Sequence, residues 1–260
     1  MAEGYPTDLT DAQWAVLERL LPAAKPGGRP RTTCLRKVVE AIFYVLRSGC
    51  QWRMLPKEFP PYQTVYEYFR NWRLTGIWER LHDTLRGDVR EAAGRHREPS
   101  AGIIDSQPVK TTEQGGVRGY DGGKRIQGRK RHLVVDVLGL LLMVCVHSAG
   151  IQNRDGAKSL LEALGSDFPG VQLIWADGGY AGKLVDGVAT TLQRVLSIVK
   201  RPRKSGFKVL QWRWIVERTF GWLNRSRRLS KDFEGLCETL ETWVRIAMLQ
   251  IMVRRLAKAT

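Results

Sequence analysis

The chain has 260 residues, and its 42 Lys and Arg against 26 Asp and Glu give a formal net charge of +16. A hydrophobic share of 43% supports a buried core, which excludes a disordered basic tail or a histone-like arm and leaves room for one large domain or a small one plus a medium one. Such a surplus on a globular chain brings self-repulsion, and its usual reason is a polyanionic partner.

The first helix is expected over 7–22, where Thr10 and Gln13 form a capping-box pattern and Trp14, Leu17 and Leu21 recur at helical spacing before Pro22 stops it. Lys25-Pro-Gly-Gly-Arg-Pro-Arg31 reads as a basic, breaker-rich loop. A second helix is expected over about 34–48, with Leu35, Val38, Val39, Ile42, Val45 and Leu46 on one stripe and Gly49 as its stop. After the irregular Gln51–Pro56 and Phe59–Tyr62 stretches, a third helix begins near Gln63 or Thr64, and a fourth runs from about Ile77 to Arg90. Residues 1–95 therefore read as an all-helical, helix-turn-helix-like DNA-binding domain. A packing or dimerisation module fits the same pattern, and nothing in it says which helix would read bases.

The pattern changes after the polar joint at 95–99. Ala101–Asp105 is a short apolar strand, and 131–137 and 140–147 are β-branched runs joined as a hairpin at Leu138-Gly139. A helix opens at Asn153 or Asp155, a strand covers Val171–Asp177, a helix 181–191, a strand Val195–Val199, a helix Val209–Leu223, and a last helix Glu238–Lys258. Residues 99–260 thus read as an α/β domain: a mixed sheet flanked by helices.

The positive charge is clustered. Arg118, Lys124, Arg125, Arg129, Lys130 and Arg131 stand against the single acid Asp121, and the basic run from Arg194 to Lys231 holds the single acid Glu217. Such clusters suit a phosphate backbone better than a membrane surface, because the second mixes Pro, Gly and aromatics instead of forming a basic amphipathic helix. The most apolar run, Leu133–Val146, is broken by Asp136 and Gly139, too short and polar to span a bilayer. No basic start followed by an apolar stretch opens the chain, so no secretory signal is expected. Cys34, Cys50, Cys145 and Cys237 are scattered without a CxxC, which suits a reducing compartment.

Asp105 and Asp177 each close a predicted strand. If those strands are neighbours, both carboxylates emerge at one sheet edge, where only a proton or a divalent cation relieves their repulsion; oxygen ligands suit Mg²⁺ or Mn²⁺. Glu217 lies on a helix face shared with Arg213, Gly221, Asn224 and Arg228, a face able to serve a metal and a phosphodiester. A plain Arg213–Glu217 i,i+4 pair accounts for it equally well.

These residues resemble a known family, the DDE transposases of bacterial insertion sequences, and within it the IS-five group. The likeness runs through Leu9-Thr-Asp-Ala-Gln-Trp14, the Lys25–Arg31 loop, Gly49–Pro56, Ile103–Lys110, Gly128–His132, Ala176–Tyr180 and Val216–Asn224. It implies a ribonuclease-H-like catalytic domain and a metal-binding triad of Asp105, Asp177 and Glu217, with Arg213 matching the Arg of the family's Tyr-Arg-Glu-Lys signature. Leu210 and Asn224 stand where that signature has Tyr and Lys, and Arg225 or Arg228 is a candidate for the missing cation. The resemblance further implies two Mg²⁺ (or Mn²⁺) ions and metal-dependent cleavage and strand transfer at transposon ends. It implies double-stranded terminal repeats and target DNA as partners, and a homodimer or larger assembly on DNA.

Lys110, Lys124, Arg129, Lys130, Arg131, Lys200, Arg201, Arg203, Arg225 and Arg228 are the expected DNA contacts. No membrane is expected, and the location is read as cytoplasmic and nucleoid-associated. A non-catalytic helix-turn-helix regulator, a ribonuclease-H-like nuclease without strand transfer, and a basic structural protein remain the rival readings.

Overall fold

Helical periodicity in the N-terminal segment is realised as α1 (Asp11–Glu18), α2 (Leu35–Ser48), α3 (Tyr62–Leu74) and α4 (Ile77–Ala92). The computed structural model describes residues 4–24, 27, 31–199 and 212–259; most of the Lys25–Arg31 loop lies outside them. α1 is shorter than its pattern because Thr10 is the non-helical cap: its hydroxyl accepts from the Gln13 backbone N–H at 3.2 Å, and the Gln13 side chain accepts from the Thr10 N–H at 3.4 Å. α2 buries Val38, Val39, Ile42, Val45 and Leu46. It also buries Glu40, whose carboxylate accepts from the Leu9 N–H, Arg36 and Lys37. Gly49 closes α2 at φ +72°, and a Cβ there would stand 3.1 Å from the Arg227 side chain, so both the turn and the close approach call for glycine.

The chain divides into two units: residues 1–95, 225–229 and 242–260 form one, and 96–224 with 230–241 the other. That differs from the expected division into 1–95 and 99–260. The last helix, α8 (Cys237–Ala259), contributes fully buried Trp243 to the helical unit, stacked on Phe69 at 4.5 Å between ring centroids. The N-terminal helices thus complete their aromatic core with the C-terminal end of the chain.

The second unit holds β1 (Ala101–Lys110), β2 (Gly119–Asp121), β3 (Ile126–Val135), β4 (Leu141–Ser148), α5 (Asn153–Asp167), β5 (Leu173–Ala176), α6 (Lys183–Leu192), β6 (Val195–Ile198) and α7 (Arg213–Leu223). Its described strands form one mixed sheet in the order β2-β3-β1-β5-β6, with β4 following β2 along the same edge of β3. β1 runs antiparallel to β3 and parallel to β5, which is parallel to β6. This is the α/β architecture expected of a ribonuclease-H-like domain. Strand alternation sends Ile104, Val134 and Ile174 into a core with Leu160, Leu161 and Leu164 of α5 and Leu184 and Val188 of α6. Ile103, Asp105 and Leu133 take the opposite face, and α7 packs on β1 and β3.

β1 and β3 are longer than their apolar runs because they pair through the polar stretch Ser106–Lys110 against Gly128–His132. Pro108 is tolerated there because β1 has no β5 partner beyond Ile103. β2, three residues long, offers no alternation from which to predict it. A buried ion pair fastens the segment after α7 to this sheet: Arg129 Nη1 lies 2.8 Å from Asp232 Oδ2, both side chains fully buried, and Asp232 N–H donates to the Lys110 carbonyl at 2.8 Å. Asp232→Ala leaves the Arg129 charge buried without its counter-ion and is expected to cost about 3–5 kcal/mol, measured by urea denaturation.

Candidate active site

Three elements deliver the candidate acids. β5 covers β1 only as far as Ile103, so Asp105 stands just past the end of that pairing; it is mid-strand in β1, not at its end as the apolar run implied. Asp177 directly follows β5 and caps the 3₁₀ turn Gly178–Tyr180, its Oδ1 accepting from the Gly179 N–H at 2.8 Å. Because β1 and β5 are parallel, both aspartates lie toward the same end of the sheet. Glu217 comes from α7, one turn after Arg213. All three line an open cleft of about 730 Å³ together with Arg213, Ser106, Asn153, Arg154, Lys124 and Lys130.

Arg213 sits among the acids. Its Nη2 is 3.2 Å from Glu217 Oε1, 3.8 Å from Asp177 Oδ2 and 3.9 Å from Asp105 Oδ2. The expected i,i+4 pair therefore exists, but the same guanidinium also faces both aspartates. Exposure rises outward across the set, from 16% for the Asp105 side chain through 28% for Asp177 to 55% for Glu217. Burial pushes the Asp105 carboxyl up to about 6. The Ser106 N–H bond opposes that shift, the Asp177 and Glu217 charges reinforce it, and Arg213 pulls it down.

α7 is held so that Glu217 faces Asp105. Thr219 Oγ1 donates to the Gly139 carbonyl at 2.9 Å, and Arg218 donates to the Leu138 carbonyl at 3.2 Å. The β3–β4 turn approaches the helix closely: Gly139 has φ +79°, and a Cβ there would lie 2.9 Å from Thr219 Oγ1. Arg131, fully buried, donates to the Gln107 side chain on β1 and to Asn224 Oδ1, 2.9 Å away, at the C-terminal cap of α7. On the other face of β1, Ser106 Oγ donates to Asn153 Oδ1 at 3.0 Å, and buried Tyr180 lies 3.4 Å through its hydroxyl from His132 Nδ1.

The expected DNA contacts separate into groups. Lys110, Lys124 and Arg225 are exposed. Lys200, Arg201 and Arg203 lie outside the described residues, as do Val209 and Leu210. Arg129, Lys130, Arg131 and Arg228 are corrected: all are at least nine-tenths buried. Arg129 is paired with Asp232, and Lys130 holds Asp121 and the Ile151 carbonyl while still lining the cleft. Arg131 bridges Gln107 and Asn224. Arg228 donates to the Cys50 carbonyl in the helical unit; α7 ends at Leu223, so Arg228 does not continue the Glu217 face. His132 is likewise buried, its imidazole pushed down to about 3 by burial and by the His147 and Lys130 charges. Ser106, Asn153 and Arg154 line the cleft without having been expected there; for the last two the signal was the polar run Gln152–Arg154 where a strand hands over to a helix.

Oxygen-only donors converging on one cation are what a hard divalent metal requires; the cation at the centre of these three acids is the Arg213 guanidinium. Among the described residues, no three His, Cys, Asp or Glu side chains are grouped tightly enough to hold a metal as they stand; the acids are spaced around Arg213. An acid whose folded pKa lies above its unfolded value opposes folding above that pKa and ceases to do so once protonated. Asp105→Asn is therefore expected to stabilise the protein in chelator at pH 8 by on the order of 2 kcal/mol, the gain fading as pH falls through 6 toward 4. Urea denaturation of both proteins across that range checks this; a pH-independent difference contradicts it.

Comparison with known proteins identifies the family. Residues 9–82 match the family described as a putative transposase of the IS4/5 family, and residues 96–252 match the transposase DDE domain. An uncharacterized 16.2 kDa protein of insertion element IS402 from Burkholderia cepacia is 30% identical over 113 residues, covering 41% of this chain and 76% of that protein. A putative transposase for IS402 from the same organism is 28% identical over 114 residues, covering 41% of this chain and 54% of its own length. The uncharacterized protein y4sN of Sinorhizobium fredii is 29% identical over 73 residues, covering 28% of this chain and 58% of that protein. No solved structure matches the chain. Among the described residues, no helix is long and apolar enough to cross a membrane. With DDE-domain similarity spanning most of its length and an IS4/5-type segment before it, the chain belongs to the DDE transposases of the IS4/IS5 type.

Proposed function

We propose that the chain binds the terminal repeats of its insertion sequence and cleaves and joins DNA strands there by phosphoryl transfer. One observation carries the reading: carboxylates from β1, from the end of β5 and from α7 share a single cleft around one guanidinium. Asp105, Asp177 and Glu217 would hold Mg²⁺ or Mn²⁺, two ions in this reading, whose charge stabilises the attacking and leaving oxygens of an in-line displacement.

The chain's own residues account for the rest. The Ser106 and Gly179 backbone N–H groups each fix one oxygen of an aspartate, leaving the other toward the cleft. Lys124 and Arg154 place positive charge on the cleft wall, where a phosphodiester would lie. Lys110, Arg225, Lys200, Arg201 and Arg203 are further candidates for contact with the phosphate backbone. Residues 1–95 would recognise the ends, and bringing two ends together requires a dimer or larger assembly on DNA.

The test is incubation of the purified protein with its element's termini, with and without Mg²⁺ or Mn²⁺. Asp105→Asn, Asp177→Asn and Glu217→Gln are each expected to retain end binding in a mobility-shift assay while strand cleavage falls below detection. Cleavage at the wild-type rate by any of the three removes that residue from the proposed site. Cleavage without joining of a pre-cut end to target DNA identifies a nuclease instead.

A further inference from the structure

We propose that Arg213 is the resident counter-cation of the three-carboxylate site, and that a divalent ion enters by displacing its guanidinium. The inference rests on the reading that these acids are metal ligands. Arg213 is 8% exposed in its side chain, with Nη2 between 3.2 and 3.9 Å from an oxygen of each acid. Only the Glu217 contact is a hydrogen bond; toward Asp105 and Asp177 the guanidinium acts as a central charge.

A guanidinium and a metal cannot share that centre. Mg²⁺ needs oxygens at about 2.0–2.1 Å in near-octahedral order. The acids now stand around a planar organic cation that offers donors and no acceptor. As they stand they form no metal-sized group, although an oxygen of each lies within 3.9 Å of the same nitrogen. Arg213 has somewhere to go. Its side chain is long and unbranched, and the cleft it lines is open, with Lys124 and Arg154 on its walls. Arg213 also begins α7, so its base stays fixed while its head moves. In the empty site one positive charge relieves repulsion among three negative ones. On loading, that charge is released into the cleft, where a phosphate would accept it. Metal entry and the presentation of Arg213 to a phosphodiester become one event.

The experiment is calorimetric titration of full-length protein with Ca²⁺ and with Mn²⁺, without DNA, on wild type, Arg213→Gln and Arg213→Lys, accompanied by thermal melts in chelator and in metal. Removal of the competing cation is expected to tighten metal binding by about tenfold or more in Arg213→Gln. The same variant should melt lower than wild type in chelator and gain more on adding metal. Arg213→Lys, which keeps the charge on a shorter reach, should bind with an affinity between the two; it decides the matter if Arg213→Gln does not fold. Equal or weaker metal binding by the variants overturns the inference and makes Arg213 a residue that builds the site. If neither wild type nor variants bind metal, the reading of the acids as ligands fails instead.

Discussion

Three carboxylates that face one point repel one another, and the second unit is arranged around containing that repulsion. Asp105 is the most buried of the three and the one whose ionisation is most opposed by its surroundings. Its position is not negotiable, because β1 is paired to β3 along the whole stretch around it. Asp177 is equally fixed by capping the turn after β5. The adaptable member is Glu217, half exposed and on a helix. The cation that offsets all three stands on that same helix, one turn away, where i,i+4 spacing brings it within reach of Glu217.

Repulsion would also push α7 off the sheet, and the contacts that resist this end on neutral acceptors. Thr219 and Arg218 bond to carbonyls of the β3–β4 turn, and Arg131 grips the amide side chains of Gln107 and Asn224. Burying Arg131 in this way depresses its pKa to about 10, with desolvation the dominant cause. Arg194 acts similarly, donating to the Leu164, Gly165 and Phe168 carbonyls at the C-terminal end of α5, where a cation complements the helix dipole. A substantial part of the charge surplus is thus structural cement. The charge surplus suits a chain of a DNA-transposing family, but the basic cluster in β3 is turned inward: Arg129, Lys130 and Arg131 all point their heads at protein atoms.

That cluster shows where sequence legibility ended. Helices α2 to α6 and strands β4 to β6 were readable to within a few residues, because their apolar spacing matches the period of the element that buries them. Thr10 with Gln13 announced a cap, and Gly49 and Gly139 announced turns, because each has a local physical reason. β2 and the polar halves of β1 and β3 were not readable, since β2 is three residues long and nothing local to the polar halves, whose side chains do not alternate, points to the strand that pairs with them. The assignment of α8 from Thr242 onward to the helical unit was hidden for the same reason: nothing local to Trp243 says that it stacks on Phe69. Asp105, Asp177 and Glu217 were singled out from strand ends and from the isolation of one acid in a basic run, and family resemblance strengthened that choice. Burial of a basic side chain, by contrast, leaves no trace in a linear charge count.

The alternation of β1 gives the site its second layer. Asp105 and Ser106 are adjacent, so the strand sends one toward α7 and the other toward α5. Ser106 ties β1 to Asn153, the first residue of α5, and Asn153 sits close enough to Gly179 that a Cβ there would come within 3.3 Å of its amide nitrogen. The start of α5, the turn that carries Asp177 and the strand that carries Asp105 are thereby locked to one another on the side away from Arg213. Tyr180 and His132 lie deeper on that face, uncharged because burial disfavours both the phenolate and the imidazolium. A rigid neutral layer beneath the aspartates and a movable cation beside them divide the labour: the first keeps two carboxylates at a fixed separation, and the second lets the site change its charge without changing its frame.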